Sequence, residues 1–133
     1  MENMKTNPVC WFEIYVQDMN RAQKFYEEVL QKKMMQMTDP TDESMKMVGF
    51  PMEGANDEML PGCSGALVQM QGVSSGGNST IVYFTCEDCS VEESRVEAAG
   101  GKIFKPKMGI GEFGFMSLIT DTEGNMVGLH SLK

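Results

Sequence analysis

Few side chains in this sequence could carry covalent catalysis. His130 is the only histidine among 133 residues, and an activated serine or cysteine needs an adjacent base to take its proton. Ser64, Ser117 and Cys63 have no such base beside them in the sequence. Conventional Ser-His or Cys-His chemistry is therefore not predicted.

The four cysteines raise the question of a zinc or redox site. Cys86 and Cys89 are separated by two residues, as at many such sites, whereas Cys10 and Cys63 each stand alone. Structural zinc sites usually draw on two closely spaced ligand pairs. We interpret Cys86 as a small apolar strand residue and Cys89 as a residue at a helix entrance, with a metal or redox role as the less favoured alternative.

Composition excludes several classes of partner. With 19 acidic and 11 basic side chains, the net charge of −8 opposes binding to phosphate backbones or anionic lipid and mildly favours cationic ligands. The polar N-terminus, residues 1–8, resembles no signal peptide, and no apolar run approaches the roughly 20 residues that span a membrane. We expect a cytoplasmic protein with no nucleic-acid or membrane partner.

Fourteen methionines are the unusual part of the composition. Methionine fills irregular apolar space and also suits adaptable pockets, and core filling is the interpretation that we favour. The densest group is Met34, Met35, Met37, Met45, Met47 and Met52.

Two copies of one unit provide the elements that must position these side chains. Residues 11–18 and 81–88 share a plan of alternating strand residues, a closing Asp and a helix-like stretch, and residues 61–67 and 123–129 form a second similar pair. A duplicated unit can bury its apolar face against its sister copy. The chain is predicted to be one domain, 1–133, with module one at about 8–71, a flexible linker at 72–78 and module two at about 79–133.

Periodicity gives each module the order βαβββ. The first helix follows Asp18, and a stripe of Ala22, Phe25, Tyr26 and Val29 marks its buried face. The second helix is predicted to begin with a capping box at 90–93 and to stop at Gly100. Strands are predicted at about 9–16, 34–38, 44–50 and 64–70, and again at 80–86, 102–108, 114–120 and 125–132.

The alternation of each strand assigns its side chains to two faces. Phe12, Ile14 and Val16 are expected to face the helix, which leaves the opposite face to line any cavity that the sheets enclose. The residues on that opposite face are Trp11, Glu13, Tyr15, Ile81, Tyr83, Thr85, Met126, Gly128 and His130.

The duplication, the Asp-Met-Asn-Arg-Ala-x-x-Phe-Tyr stretch at 18–26 and the Asp-Thr-Glu-Gly-Asn-x-x-Gly-Leu stretch at 121–129 together resemble the vicinal oxygen chelate superfamily. This group contains glyoxalase I, extradiol dioxygenases and bleomycin-resistance proteins. The resemblance implies an α+β fold in which two tandem βαβββ modules form a cup-shaped mixed sheet. It also implies a site on the concave face and, commonly, a homodimer.

Metal-dependent members of that family hold a divalent ion through His and Glu at four strand positions. The resemblance places these positions at Trp11, Ala66, Ile81 and Gly128, none of which offers a carboxylate or imidazole donor. The usual metal site is therefore expected to be vacant, with no cofactor bound. A displaced divalent metal on Glu13 and His130, serving a glyoxalase-like lyase or a dioxygenase-like enzyme, is the alternative.

The glycines at 109–114 match G-x-G-x-x-G, but a strand-like stretch follows them where a dinucleotide site would have a helix. We interpret this segment as a loop at the cavity mouth, with a hinge or lid role as a hypothesis. Its Phe113 joins a set of residues that we expect to bind a small molecule, in which aromatic rings stack on a planar ligand and Glu13 pairs with a cation. Packing that merely fills the barrel is the competing interpretation. The full set is Trp11, Glu13, Tyr15, Tyr83, Phe113 and His130.

Overall fold

The structure is a computed structural model that describes residues 7, 9, 11–39, 41–52, 62–77 and 80–133. Cys10, residues 53–61 and the last residue of the predicted linker lie outside the described residues. Module one contains β1 (Phe12–Tyr15), α1 (Met19–Leu30), β2 (Met35–Gln36), β3 (Met45–Gly49) and β4 (Gly65–Met70). Module two contains β5 (Tyr83–Thr85), α2 (Cys89–Val96), β6 (Lys102–Gly109), β7 (Phe115–Thr120) and β8 (Met126–Ser131).

The two modules form sheets of the same topology. Their strand orders are β1-β4-β3-β2 and β5-β8-β7-β6. In each sheet the first and last strands of the module run parallel, and the remaining neighbours are antiparallel. The predicted α+β fold, two βαβββ modules in a cup-shaped mixed sheet, is confirmed.

Helix α1 forms where its sequence predicts. The Asp18 side chain accepts a hydrogen bond from the Arg21 amide, which caps the N-terminus, and the chain leaves the helix at Gln31 with φ of 54°. The predicted stripe is buried throughout. The predicted strand faces are also confirmed, because Ile14 and Val16 are buried while Glu13 is exposed.

Helix α2 begins two residues earlier than the capping box predicts. Asp88, not Ser90, is the N-cap, and its carboxylate accepts from the Ser90 amide and from Lys107 Nζ. The Lys107 ammonium and these hydrogen bonds hold the pKa of Asp88 well below its ordinary value. The capping box predicts that Glu93 caps this helix end. Glu93 instead accepts a hydrogen bond from the Lys107 backbone amide. The helix itself ends at Val96, and turns continue to Gly100.

One hydrophobic core is shared by both modules. A group of aromatic rings from both modules packs together at this core, and in it the partly buried Phe12 of β1 and Phe84 of β5 meet with centroids 5.9 Å apart. Tyr26 of α1 and Phe50 pack on the same group, at 5.6 Å from each other. Such aromatic pairs add to the free energy gained by burial alone. The modules therefore fold against each other.

The methionines do not fill this core as expected. Of the predicted group, Met34 is buried at 5% exposure, but Met35 and Met37 are 59% and 50% exposed. Met45 and Met47 are half-buried on β3. The core-filling interpretation is wrong for most of this group, because strand alternation places these residues on the sheet face that the helices do not cover.

A buried carboxylate fastens module two to module one. Glu123, in the turn between β7 and β8, accepts hydrogen bonds from the backbone amides of Gln17 and Asp18 at 2.8 and 2.9 Å. Arg21 donates from Nε and Nη2 to both of its oxygens, at 2.6 and 3.0 Å. The Glu123 side chain is fully buried, whereas that of Arg21 is half exposed. The carboxylate thus satisfies the first amides at the entrance to α1.

The rest of the 121–125 turn strengthens this junction. Tyr26 of α1 donates to Asp121 at 2.7 Å, and Asn125 Nδ2 donates to the Tyr15 carbonyl at 2.8 Å. Ser75 and Gly76 of the predicted linker donate to the Glu123 carbonyl and to Asn125 Oδ1, each at 2.7 Å. This part of the linker is anchored to module two rather than free.

Among the described residues, neither helix has the length and apolar character needed to cross a membrane.

Replacing Glu123 with Gln is expected to destabilise the fold by about 2 to 4 kcal/mol, because the buried site then loses the charge that Arg21 and two amides stabilise. Burial raises the pKa of Glu123, but the hydrogen bonds from Arg21, Gln17 and Asp18 outweigh it and lower that pKa to about 2. The contribution is therefore complete above the ordinary pKa of 4.5 and is lost as the pH falls towards 2.

Urea unfolding between pH 3 and pH 7 measures both the destabilisation caused by Glu123→Gln and the pH dependence of the Glu123 contribution. Glu43→Gln is the matched control, since Glu43 forms an exposed 3.9 Å pair with Lys46 and such pairs contribute about 0 to 1 kcal/mol. Equal unfolding free energies for the two variants would contradict the proposed junction.

Candidate functional site

Three side chains on the exposed face of β1 form a hydrogen-bonded strip, which we call the β1 strip: Trp11, Glu13 and Tyr15. Trp11 Nε1 and the Tyr15 hydroxyl donate to the two Glu13 oxygens at 3.3 and 3.2 Å. The hydrogen bond to Glu13 raises the pKa of Tyr15. Strand alternation brings the three together, because residues i, i+2 and i+4 share a face. The predicted grouping of these residues is present in the structure.

A cleft of about 240 Å³ lies at the boundary of the two modules, beside the β1 strip. Glu13 and Tyr15 line one side of it, and the start of β8 lines the other. Several residues that line this cleft were not predicted from the sequence, because small polar residues in loops form no periodic pattern that indicates their position. These are Ser74, Ser75, Gly76 and Thr80.

Tyr83 lies over Gly128 rather than beside the β1 strip. The two residues are partners in the parallel β5–β8 pair, and a side chain at 128 would overlap the Tyr83 ring. Phe12 covers its own partner, Gly65, in the equivalent β1–β4 pair of module one. In each module an aromatic ring thus occupies the space above a glycine on the neighbouring strand.

His130 binds the loop between β6 and β7. Its Nε2 lies 2.7 Å from the Phe113 carbonyl oxygen, and since a carbonyl only accepts, Nε2 is the donor in this hydrogen bond. The Phe113 ring itself is 68% exposed. His130 lines a second cleft of about 470 Å³ with Thr85, Glu87 and Lys133 among its other walls.

The structure therefore divides the six predicted ligand-binding residues into separate groups. The β1 strip lies beside the cleft between the modules, Tyr83 covers Gly128, and His130 with the Phe113 carbonyl lies at the second cleft. The 109–114 segment joins β6 and β7 as predicted and contains a short 3₁₀ helix, Gly111–Phe113. It does not open an α-helix.

The donor set does not fit the divalent metal that relatives with His and Glu ligands hold. Trp11, Ala66, Ile81 and Gly128, the four positions that the resemblance implies, have side chains that provide no carboxylate or imidazole ligand. Glu13 and His130 line different clefts. Within the part of the chain that the structure describes, no three His, Cys, Asp or Glu residues are grouped to hold an ion.

The two central cysteines are buried. Burial, with the nearby Glu92 carboxylate, raises the pKa of the Cys86 thiol to about 12, so the reactive thiolate is scarce at neutral pH. Cys89 is the first residue of α2 and is fully buried. Both thiols are free. Both side chains pack in the hydrophobic core. Cys89 lies at the helix entrance as predicted, whereas Cys86 follows the last residue of β5 instead of lying on the strand.

Gly128→Ala is expected to destabilise the protein by about 1 to 3 kcal/mol, because the added methyl group forces the Tyr83 ring aside. Tyr83→Ala in the same chain should remove most of that penalty, which a double-mutant cycle in thermal unfolding measures. Gly109→Ala is the matched control, since its new methyl group meets only ordinary contacts with Phe115. Additive effects of the two substitutions would show that the ring and the glycine are not coupled.

Comparison with known proteins identifies the family. The model of the Glyoxalase/Bleomycin resistance protein/Dioxygenase superfamily matches residues 9–129. No curated protein sequence is similar enough to this chain to count as a relative.

Solved structures have the same fold. Glyoxalase I from Zea mays superposes with a TM-score of 0.72 at 22% identity, and the match covers 94% of this chain and 46% of that one. The chain thus spans about half the length of the maize enzyme. TnmS3, an antibiotic binding protein from Streptomyces sp. CB03234, gives 0.67 at 19% identity, covering 97% and 98% of the two chains. Together with the family match, these similarities show that the chain belongs to the glyoxalase/bleomycin resistance protein/dioxygenase superfamily.

Proposed function

We propose that this protein binds a small planar or cationic molecule on its concave face without a divalent metal. The observation that carries the proposal is the β1 strip, in which an exposed carboxylate lies between two aromatic side chains. Aromatic faces and a carboxylate together attract an organic cation. A cation over an aromatic face contributes about 0.5 to 1 kcal/mol when exposed and about 2 kcal/mol when desolvated.

Other features support the same function. The cleft between the modules extends the β1 strip into a space of about 240 Å³, which suits one small aromatic group. The net charge of −8 favours cations over anions. TnmS3, which matches nearly the whole chain, is described as an antibiotic binding protein. Sequestration of a compound of this kind is therefore the role that we propose.

The enzyme alternative has no comparable support. A displaced divalent site needs Glu13 and His130 together, and these residues line different clefts. Two protein ligands would also leave the ion weakly held.

We further propose that the chain acts as a homodimer. The interface of such a dimer would cover some of the large apolar side chains that are exposed in the single chain. Analytical ultracentrifugation at micromolar protein concentration tests this proposal, because it measures the molecular mass in solution. A mass equal to that of a single chain would refute the homodimer. These side chains include Phe104, Phe113 and Leu132.

Glu13→Gln is expected to weaken the binding of proflavine, a planar aromatic cation, about fivefold to tenfold, which corresponds to roughly 1 kcal/mol. Trp11→Leu should weaken it to a similar extent because it removes the stacking face. Isothermal titration calorimetry, with chelator present throughout, gives the affinities.

Glu97→Gln is the matched control, because Glu97 is an exposed carboxylate at the end of α2. If Glu13→Gln and Glu97→Gln bind proflavine equally well, the β1 strip is not the binding site. Neutral planar dyes then separate stacking from charge, since their affinity should respond to Trp11→Leu alone.

A further inference from the structure

The side chains of Met108, Met116 and His130 form one row across three neighbouring strands of module two. Met108 pairs with Met116 across β6 and β7, and Met116 pairs with His130 across β7 and β8. Paired residues of antiparallel strands lie on the same face with Cβ atoms about 5 Å apart. The row therefore brings two thioethers and one imidazole together on the concave face.

The hydrogen bond of His130 prepares its ring for binding a metal. Nε2 donates to the Phe113 carbonyl, so this contact orients the ring and selects the neutral tautomer in which the lone pair is on Nδ1. Histidines that bind metals usually donate their other ring nitrogen to a carbonyl or carboxylate in this way. The half-buried imidazole also borders the second cleft, which gives an ion access to it.

Met108 and Met116 supply sulfur at suitable places. Met108 is 45% exposed and Met116 is half-buried, so neither side chain is fully buried in the hydrophobic core. Three rotatable bonds let a methionine sulfur reach across a neighbouring strand. Thioethers are soft ligands that select Cu(I) over Mg²⁺, Ca²⁺ or Zn²⁺, and imidazole is compatible with copper.

From this row we propose a binding site for a soft monovalent cation, of the Cu(I) and Ag(I) class, formed by Met108, Met116 and Nδ1 of His130. The site is distinct from the four vacant family positions, of which Gly128 is the one that lies on β8. The site also includes no residue of the β1 strip. It is therefore separate from the proposed binding site for an organic ligand, and the two proposals can be tested independently.

Module one contains a natural comparison for this site. Met37 donates its amide to the Met47 carbonyl, and Met47 pairs with Val68 across β3 and β4. This row is the counterpart of Met108, Met116 and His130 in the duplicated sheet. It has the same two thioethers but an apolar valine in place of the imidazole.

The experiment titrates silver nitrate, in chloride-free buffer, into protein labelled at the methionine methyl carbons. Cys10→Ser and Cys63→Ser are introduced throughout, because a thiol would bind Ag⁺ more strongly than a thioether does and the Cys63 thiol is exposed. We expect one equivalent of Ag⁺ to move the methyl resonances of Met108 and Met116 and the Nδ1 resonance of His130. The resonances of Met37 and Met47 should stay in place.

His130→Val, which copies the module-one row, is expected to weaken Ag⁺ binding by at least about tenfold. Met108→Leu with Met116→Leu should abolish the shift at His130, and Met37→Leu with Met47→Leu should leave binding unchanged. Amide spectra establish that each variant is folded. Equal shifts at both methionine rows, or unchanged affinity in His130→Val, would overturn the proposal.

Discussion

The Glu123 carboxylate is the interaction on which the arrangement of the two modules depends. Its oxygens accept hydrogen bonds from Gln17, Asp18 and Arg21, so a turn of module two occupies the entrance to the first helix of module one. A buried charge is costly unless it is paired and fully hydrogen-bonded. Here that requirement fixes β1 relative to β8 and thereby creates the cleft beside the β1 strip.

The same duplicated frame underlies our proposal that the concave face binds an organic ligand without a divalent metal. The strand positions that carry His and Glu in metal-dependent relatives hold apolar or absent side chains, and Tyr83 lies over one of them, Gly128. Glu13, a carboxylate on this face, is exposed and accepts hydrogen bonds from the neighbouring Trp11 and Tyr15 side chains.

The sequence was sufficient for the fold because alternation and helical periodicity repeat in both modules. It predicted the buried stripe of α1 and the exposed face of β1. It failed where several side chains compete for one role: Asp88 caps α2 in place of Ser90, and Met35 is exposed rather than packed in the core. Nor could it predict the hydrogen bond between the His130 ring and Phe113, since that contact depends on a backbone carbonyl in a loop.

Metal analysis of untagged protein tests most directly whether the concave face works without a divalent ion. The protein would be purified without chelator, incubated with zinc, nickel, manganese or iron, desalted and examined by elemental mass spectrometry. We predict far less than one divalent ion per chain, and unchanged proflavine affinity after each incubation. A nearly stoichiometric divalent ion that chelator removes and that restores ligand binding would contradict the account.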